Sequence, residues 1–251
     1  MRRNVVCALV AIWLLSAAAH SSDADYQQGM KLLAAKDYTH SFDSLEHAIA
    51  EDPDNLRYAN DYRRAVILSN DKAAYDRALH FFETSIAAHP NSANLHLNYG
   101  FAYVDKIPVA GSITQVILAN NALLEFSKAV EIQPSWINYY TRGASYLFWP
   151  KVFEKTPLGV ADLKKALELQ KKGPRHSYYV RVYIALGDAY WKTDDLKKAH
   201  ATWQQGLGEF PENAKLKSRM ALQGDELKAV IEDALDPDKR VDTDLKELWS
   251  E

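Results

Sequence analysis

Residues 199–211 read AHATWQQGLGEFP, and the outline of that stretch recurs along the chain. It consists of a small residue, three spacers, a large apolar residue, two spacers, a small residue, four spacers and a proline. The same frame stands at Ser41/Leu45/Ala48/Pro53, Ala78/Phe82/Ser85/Pro90, Ala122/Phe126/Ala129/Pro134 and Ala199/Trp203/Gly206/Pro211. A copy without the proline is Gly159/Leu163/Ala166. Steps of four and three put the first three members on one face of a helix. Small residues there let a neighbouring helix approach, and the large one fills the space between. The proline ends the helix and starts the turn to the next unit.

A second frame lies one helix upstream: Gly100-x-x-Tyr103, Gly143-x-x-Tyr146 and Gly187-x-x-Tyr190, with Gly29 alone in the first unit. From Gly187 to Ala199 is twelve residues, and so is Ala199 to Pro211. Together the frames resemble the tetratricopeptide repeat, a helix-turn-helix unit of about 34 residues with small, aromatic and proline positions in this order. The resemblance covers roughly residues 23–211 as five units. It implies an all-α chain, a right-handed superhelical α-solenoid of about five helix-turn-helix repeats. Beyond Pro211, residues 213–222 and 225–235 read as two amphipathic capping helices around Gly224, which a solenoid end needs to cover its last apolar face. Leu245, Leu248 and Trp249 have helical spacing, which predicts a short helix docking back; a free interaction tail is the other reading. The expected organisation is therefore a leader at 1–19, repeats at 20–211, and capping helices with a tail at 212–251.

Some units depart from the pattern. The second has Arg63 or Val66 where glycine is expected, so the register of its first helix stays open. In the third, Ser112-Ile-Thr-Gln115 reads as a capping box, with the helix starting near Ile113. In the fourth, residues 147–153 form an apolar connector, after which Thr156-Pro157 supplies an N-cap and a proline in the first turn.

The chain has 251 residues, 47% hydrophobic and 25% charged, which suits a folded protein with a substantial core. A net charge of −3 gives no general attraction to phosphate backbones or anionic lipid, so no nucleic-acid partner is expected. Arg2 and Arg3 precede an apolar run at 5–15 and then Ser16-Ala-Ala-Ala19. That order predicts a secretory leader cut near Ala19, too short to span a bilayer, and hence a protein exported to the periplasm or beyond. Cys7 is the single cysteine and lies inside the leader, which excludes disulfides and thiolate chemistry from the expected mature chain.

No motif carries catalysis. The eight histidines form no HExxH and no His-x-x-x-His pair beside an acid, so no metal site is expected. Phosphate-binding glycine loops and a G-x-S-x-G elbow are absent. Acidic pairs such as Asp194-Asp195 and Glu232-Asp233 fit a turn and a solvated helix face. The chain is therefore expected to have no catalytic residues and to bind no cofactor or metal.

Recognition of another protein remains. By the resemblance, the first helix of each repeat lines the concave surface, with residues three before and one or four after its glycine pointing inward. Those are Tyr26, Met30 and Leu33; Leu97, Phe101 and Val104; Tyr140, Ala144 and Leu147; and Ile184, Asp188 and Trp191. Phe148 and Trp149 would edge the same surface. Some relatives hold a peptide's terminal carboxylate with lysine and asparagine at such positions, and these positions carry no such clamp. The implied function is an adaptor or assembly factor holding an apolar or aromatic segment of a partner. A small-ligand or cofactor-handling site beneath residues 148–153 is the alternative. Two readings of the groove stay open: it is free for a partner, or the chain's own additions at 109–118 and 148–153 fold over it.

Overall fold

The computed structural model describes residues 22–250; the leader expected at 1–19 lies outside them. Twelve α-helices are present among the described residues, and no strand. They run α1 (22–34), α2 (Tyr38–Glu51), α3 (Leu56–Ser69), α4 (Lys72–Ala88), α5 (Ala93–Lys106) and α6 (Ser112–Ile132). Then follow α7 (Trp136–Ser145), α8 (Thr156–Gln170), α9 (Val180–Lys192), α10 (Leu196–Glu209), α11 (Ala214–Ala221) and α12 (Gly224–Ala234). Successive pairs from α1/α2 to α9/α10 are the five helix-turn-helix units, and α11 and α12 are the two further helices expected after Pro211. No described helix is long and apolar enough to cross a membrane.

Most helix starts have a local cause. Asp37, Asn55, Asp71, Ser92, Ser135, Asp195 and Asn213 sit just before α2, α3, α4, α5, α7, α10 and α11. Their side chains accept hydrogen bonds from first-turn N–H groups that would otherwise lack partners. The turns inside the first and last repeats are alike. Lys36 and Asp194 take left-handed backbone, with φ of 62° and 64°, after α1 and α9. The next N–H groups, of Asp37 and Asp195, reach back to the carbonyls of Leu32 and Tyr190 at 3.0 and 2.9 Å. This closure satisfies carbonyls that the ending helix leaves open.

The two sequence frames meet in space. A Cβ on Gly29 would lie 2.7 Å from Leu45, and one on Gly143 would lie 3.0 Å from Leu163. On Gly187 it would lie 2.0 Å from Trp203. In these three repeats the glycine of the first helix is thus the seat of the large residue of the second. Ser41 adds a hydrogen bond from its hydroxyl to the Gly29 carbonyl at 2.9 Å. Leu45, Phe82, Phe126, Leu163 and Trp203 are all buried completely.

The chain divides into two compact units. The first takes in the described residues up to Glu125 together with Thr243–Leu245; the second takes in Phe126–Asp242 and the residues after Leu245. Tyr26, Phe42, Leu45, Tyr62, Tyr75 and Phe82 anchor the core of the first. In the second, Tyr183, Trp203, Leu216 and Ile231 form one cluster and Leu147, Leu163 and Leu186 another.

Three local expectations are corrected. Thr156 is the first residue of α8 rather than its cap, because Lys155 occupies the cap position and no side chain caps there. The Gln115 amide donates to the Ile107 and Ala110 carbonyls at 3.2 Å, so it closes the preceding 3-10 turn instead of completing a capping box. The tail docks back, but through an irregular stretch at 243–245 and a single 3-10 turn, Lys246–Leu248, rather than a helix.

Candidate functional site

In the first unit, side chains of α3 and α5 surround one buried cation. Arg63 is 2% exposed, and a charge so placed must find partners for its donors. Its Nε donates to Asn98 Oδ1 at 2.9 Å, and Nη1 to Asp105 Oδ2 at 2.9 Å. Nη2 donates to Asn60 Oδ1 at 3.1 Å, and also to the main-chain carbonyl of Thr243 at 3.0 Å. Helical spacing makes this possible. Asn60 and Arg63 are three apart on α3, and Asn98, Phe101 and Asp105 share one face of α5. The guanidinium carbon lies 4.7 Å from the centre of the Phe101 ring, which lends the ring's electron-rich face to the charge.

The Thr243 carbonyl belongs to a short non-helical stretch that this array holds as a peptide. The Leu245 N–H donates to Asn60 Oδ1 at 2.9 Å, while Asn60 Nδ2 donates to Asp244 Oδ1 at 3.2 Å. One carboxamide therefore reads both the backbone and a side chain. Arg64 Nε lies 3.3 Å from the other Asp244 oxygen. The Thr243 hydroxyl donates to Asp105 Oδ1 at 2.5 Å, and the Leu245 side chain is buried. Behind these groups Asp61 accepts from Tyr26 Oη at 2.7 Å and from Arg64 Nη1 at 3.0 Å, which fixes Arg64. Burial, helped by the Asp61 carboxylate, holds the Tyr26 hydroxyl well above its ordinary pKa, so it stays a donor.

The second unit surrounds the positions expected from the sequence differently. Tyr140 stacks on Trp136 with ring centres 5.1 Å apart, and Tyr178 and Tyr179 lie at the same distance from Trp136. Burial pushes the Tyr140 hydroxyl above its ordinary pKa, against the pull of Arg181, and Arg181 pairs with Glu247 of the tail at 2.8 Å. Asp188 is buried in a two-point pair with Arg219, at 2.6 Å on both oxygens. Burial nonetheless raises the Asp188 carboxyl, with Arg219 opposing the rise. Ile184 and Trp191 are half-buried against the Tyr183/Trp203 cluster.

The other expected positions are scattered through these surroundings. Leu97 and Leu147 are fully buried, while Val104, Phe148 and Trp149 are half-buried. Lys192 ties the connector down by donating to the carbonyls of Leu147 and, at 2.7 Å, Trp149. Ile113 is 83% exposed and Val152 80%, so these two apolar side chains of the additions are open to solvent. Of the residues selected from sequence, Phe101 is the one drawn directly into the Arg63 array. Asn60, Arg63, Asn98, Asp105 and the Thr243–Leu245 stretch went unselected. The distance from Val66 to Ala78 is twelve residues, the same step as from Gly187 to Ala199. That step makes Val66 the counterpart of the glycine and puts Arg63, three before it, at the offset that Leu97, Tyr140 and Ile184 hold in their repeats. No group of three or more His, Cys, Asp or Glu residues among the described residues is placed to hold a metal ion.

Comparison with known proteins bears on the architecture. No protein-family model matches the chain. Human tetratricopeptide repeat protein 13 is 28% identical over 138 residues, a match covering 53% of this chain and 14% of that protein. A thermophilic TPR protein of Thermus thermophilus has a similar structure, with a TM-score of 0.54 at 21% identity over 80% of this chain and 97% of its own. The chain has the fold of tetratricopeptide-repeat proteins. A tetratricopeptide repeat protein of Parabacteroides merdae has a TM-score of 0.52 at 15% identity, covering 86% of this chain and 75% of its own. MamA of Desulfovibrio magneticus has a TM-score of 0.51 at 15% identity, covering 77% of this chain and 98% of its own. At such identities the likeness to these structures is one of fold.

Proposed function

We propose that this tetratricopeptide-repeat chain is a protein-interaction module that holds an extended segment of another protein on the inward face of α1, α3 and α5. The observation that carries the reading is the Arg63–Asn60 array, whose donors and acceptor already meet a peptide main chain. A guanidinium donor for a carbonyl and an amide oxygen for an N–H, with Phe101 alongside, are what an extended segment needs from a rigid helical surface. Burial of an apolar side chain beside that polar pair adds the anchoring contact. The reading extends to place and role: the leader at 1–19 sends the chain to the periplasm, where it acts as an adaptor or assembly factor.

The test is site-specific photocrosslinking in the native host, with the crosslinker at Val104 on the inward face and, separately, at exposed Lys198. The expected result is a partner polypeptide captured from position 104 and not from 198. Capture from neither position, or equal capture from both, sinks the reading. Intact mass of the same protein tests cleavage near Ala19.

A further inference from the structure

We propose that Thr243-Asp244-Leu245 is a built-in ligand of the first unit, and that the partner segment it stands in for carries the same succession of hydroxyl, carboxylate and aliphatic side chains. This rests on the function proposed above and specifies its partner. Each of the three side chains has its own place on the surface. The hydroxyl meets Asp105, the carboxylate meets Asn60 and Arg64, and the leucine is buried. A basic side chain at the middle position would face Arg64 and lose the Asn60 donor. The surface therefore selects an acidic segment, with serine or threonine before the acid and a branched aliphatic residue after it.

The array is suited to exchanging one occupant for another. Without the tail, Arg63 keeps Asn98, Asp105 and Asn60, and only the bond to the Thr243 carbonyl is lost. The cation stays paired and in place, so an incoming segment meets an arranged site and loses little in ordering it. The connection from α12 to Thr243 contains no helix or strand, and most of residues 236–242 are exposed. Three residues tethered by such a link hold their site through a local concentration of about millimolar order rather than through a large interface. An untethered segment with the same chemistry then has to compete with the tail, and a partner offering further contacts displaces it.

The experiment uses the full-length chain, its Leu245→Asp variant, and a fluorescent synthetic peptide, KRVDTDLKELWS, with the sequence of residues 239–250. The peptide is expected to bind the variant at least about tenfold more tightly than the wild type, because the tethered competitor is gone. A peptide with Asp244→Lys should not bind either chain. Equal affinity for the two chains, or no binding to the variant, overturns the proposal. Should Leu245→Asp unfold the chain, hydrogen exchange on the wild type serves instead: saturating peptide should speed exchange of the chain's own Leu245 amide, and unchanged exchange overturns the proposal. A captured partner that crosslinks equally to wild type and variant defeats the built-in ligand but leaves the interaction module standing. Tight peptide binding by the variant, with no partner captured from position 104, supports the built-in ligand and defeats the cellular role.

Discussion

Each unit buries one arginine against one aspartate, and the two pairs are built differently. Arg219 closes on Asp188 with both donors of one edge, and its Nη1 turns back to the Lys215 carbonyl of its own helix. Arg63 spreads over Asn98, Asp105 and Asn60, and a fourth bond reaches the main chain of Thr243. A two-point pair satisfies itself and has little to offer a ligand. A spread arginine whose neighbours are amides keeps geometry to spare for a peptide carbonyl. The same residue type therefore locks α9 to α11 in one unit and holds the main chain of Thr243 in the other.

The largest expected effects come from removing either cation. Arg219→Ala and Arg63→Ala should each cost about 3–5 kcal/mol, because each leaves a buried carboxylate without its partner. Thermal or denaturant unfolding measures this. What separates them is the tail: the Leu245 amide should lose its exchange protection in Arg63→Ala and keep it in Arg219→Ala wherever both remain folded. Equal protection in the two variants breaks the contrast between closed and spread pairs.

Packing of the repeats supplies the next effects. Gly187→Ala pushes a methyl into Trp203 and should cost roughly 1–3 kcal/mol. Gly208→Ala, near the end of α10 with nothing within 4 Å of its Cβ, should be stabilising by up to about 1 kcal/mol. Likewise Ala199→Leu should cost roughly 1–3 kcal/mol, and Lys198→Leu should stay within about 0.5 kcal/mol of neutral. Denaturant titration of the four variants checks the register; like effects at paired sites would mean the frames are not packing positions.

These packing residues are also the part of the molecule most legible in the sequence. Glycine and its large counterpart are local, periodic signals, and their meeting follows from helix geometry alone. Hence Gly29 and Leu45, or Gly187 and Trp203, announce the fold together. The Arg63 array is less visible for two physical reasons. In the second repeat valine stands where the other four repeats carry glycine, which hides the offset of Arg63 from the repeat frame. More importantly, Thr243 and Asp105 are 138 residues apart, and no spacing rule relates a tail to the helix it folds onto. The tail's own spacing misleads for the same reason: Leu245, Leu248 and Trp249 sit at helical intervals, yet Leu245 spends its N–H on Asn60 rather than on a helical turn.

The tail itself should give the smallest and most diagnostic effect. Asp244→Asn keeps an oxygen for Asn60 Nδ2 and nearly the same volume, while removing the charge opposite Arg64. That pair is partly open to water, with side chains 37% and 19% exposed, so its loss should cost about 0.2–1 kcal/mol of tail docking. Global stability should hardly move, because the first unit's core does not depend on it. Exchange at the Leu245 amide should rise by no more than about fivefold, as expected for an energy of that size. Salt provides the control. Raising ionic strength from about 0.1 M to 1 M shortens the screening length from about 10 Å to 3 Å, which should loosen the wild-type tail towards the variant and leave the variant nearly unchanged. A wild-type tail indifferent to salt would mean that Arg64 takes no part in holding Asp244 or in selecting an acidic segment.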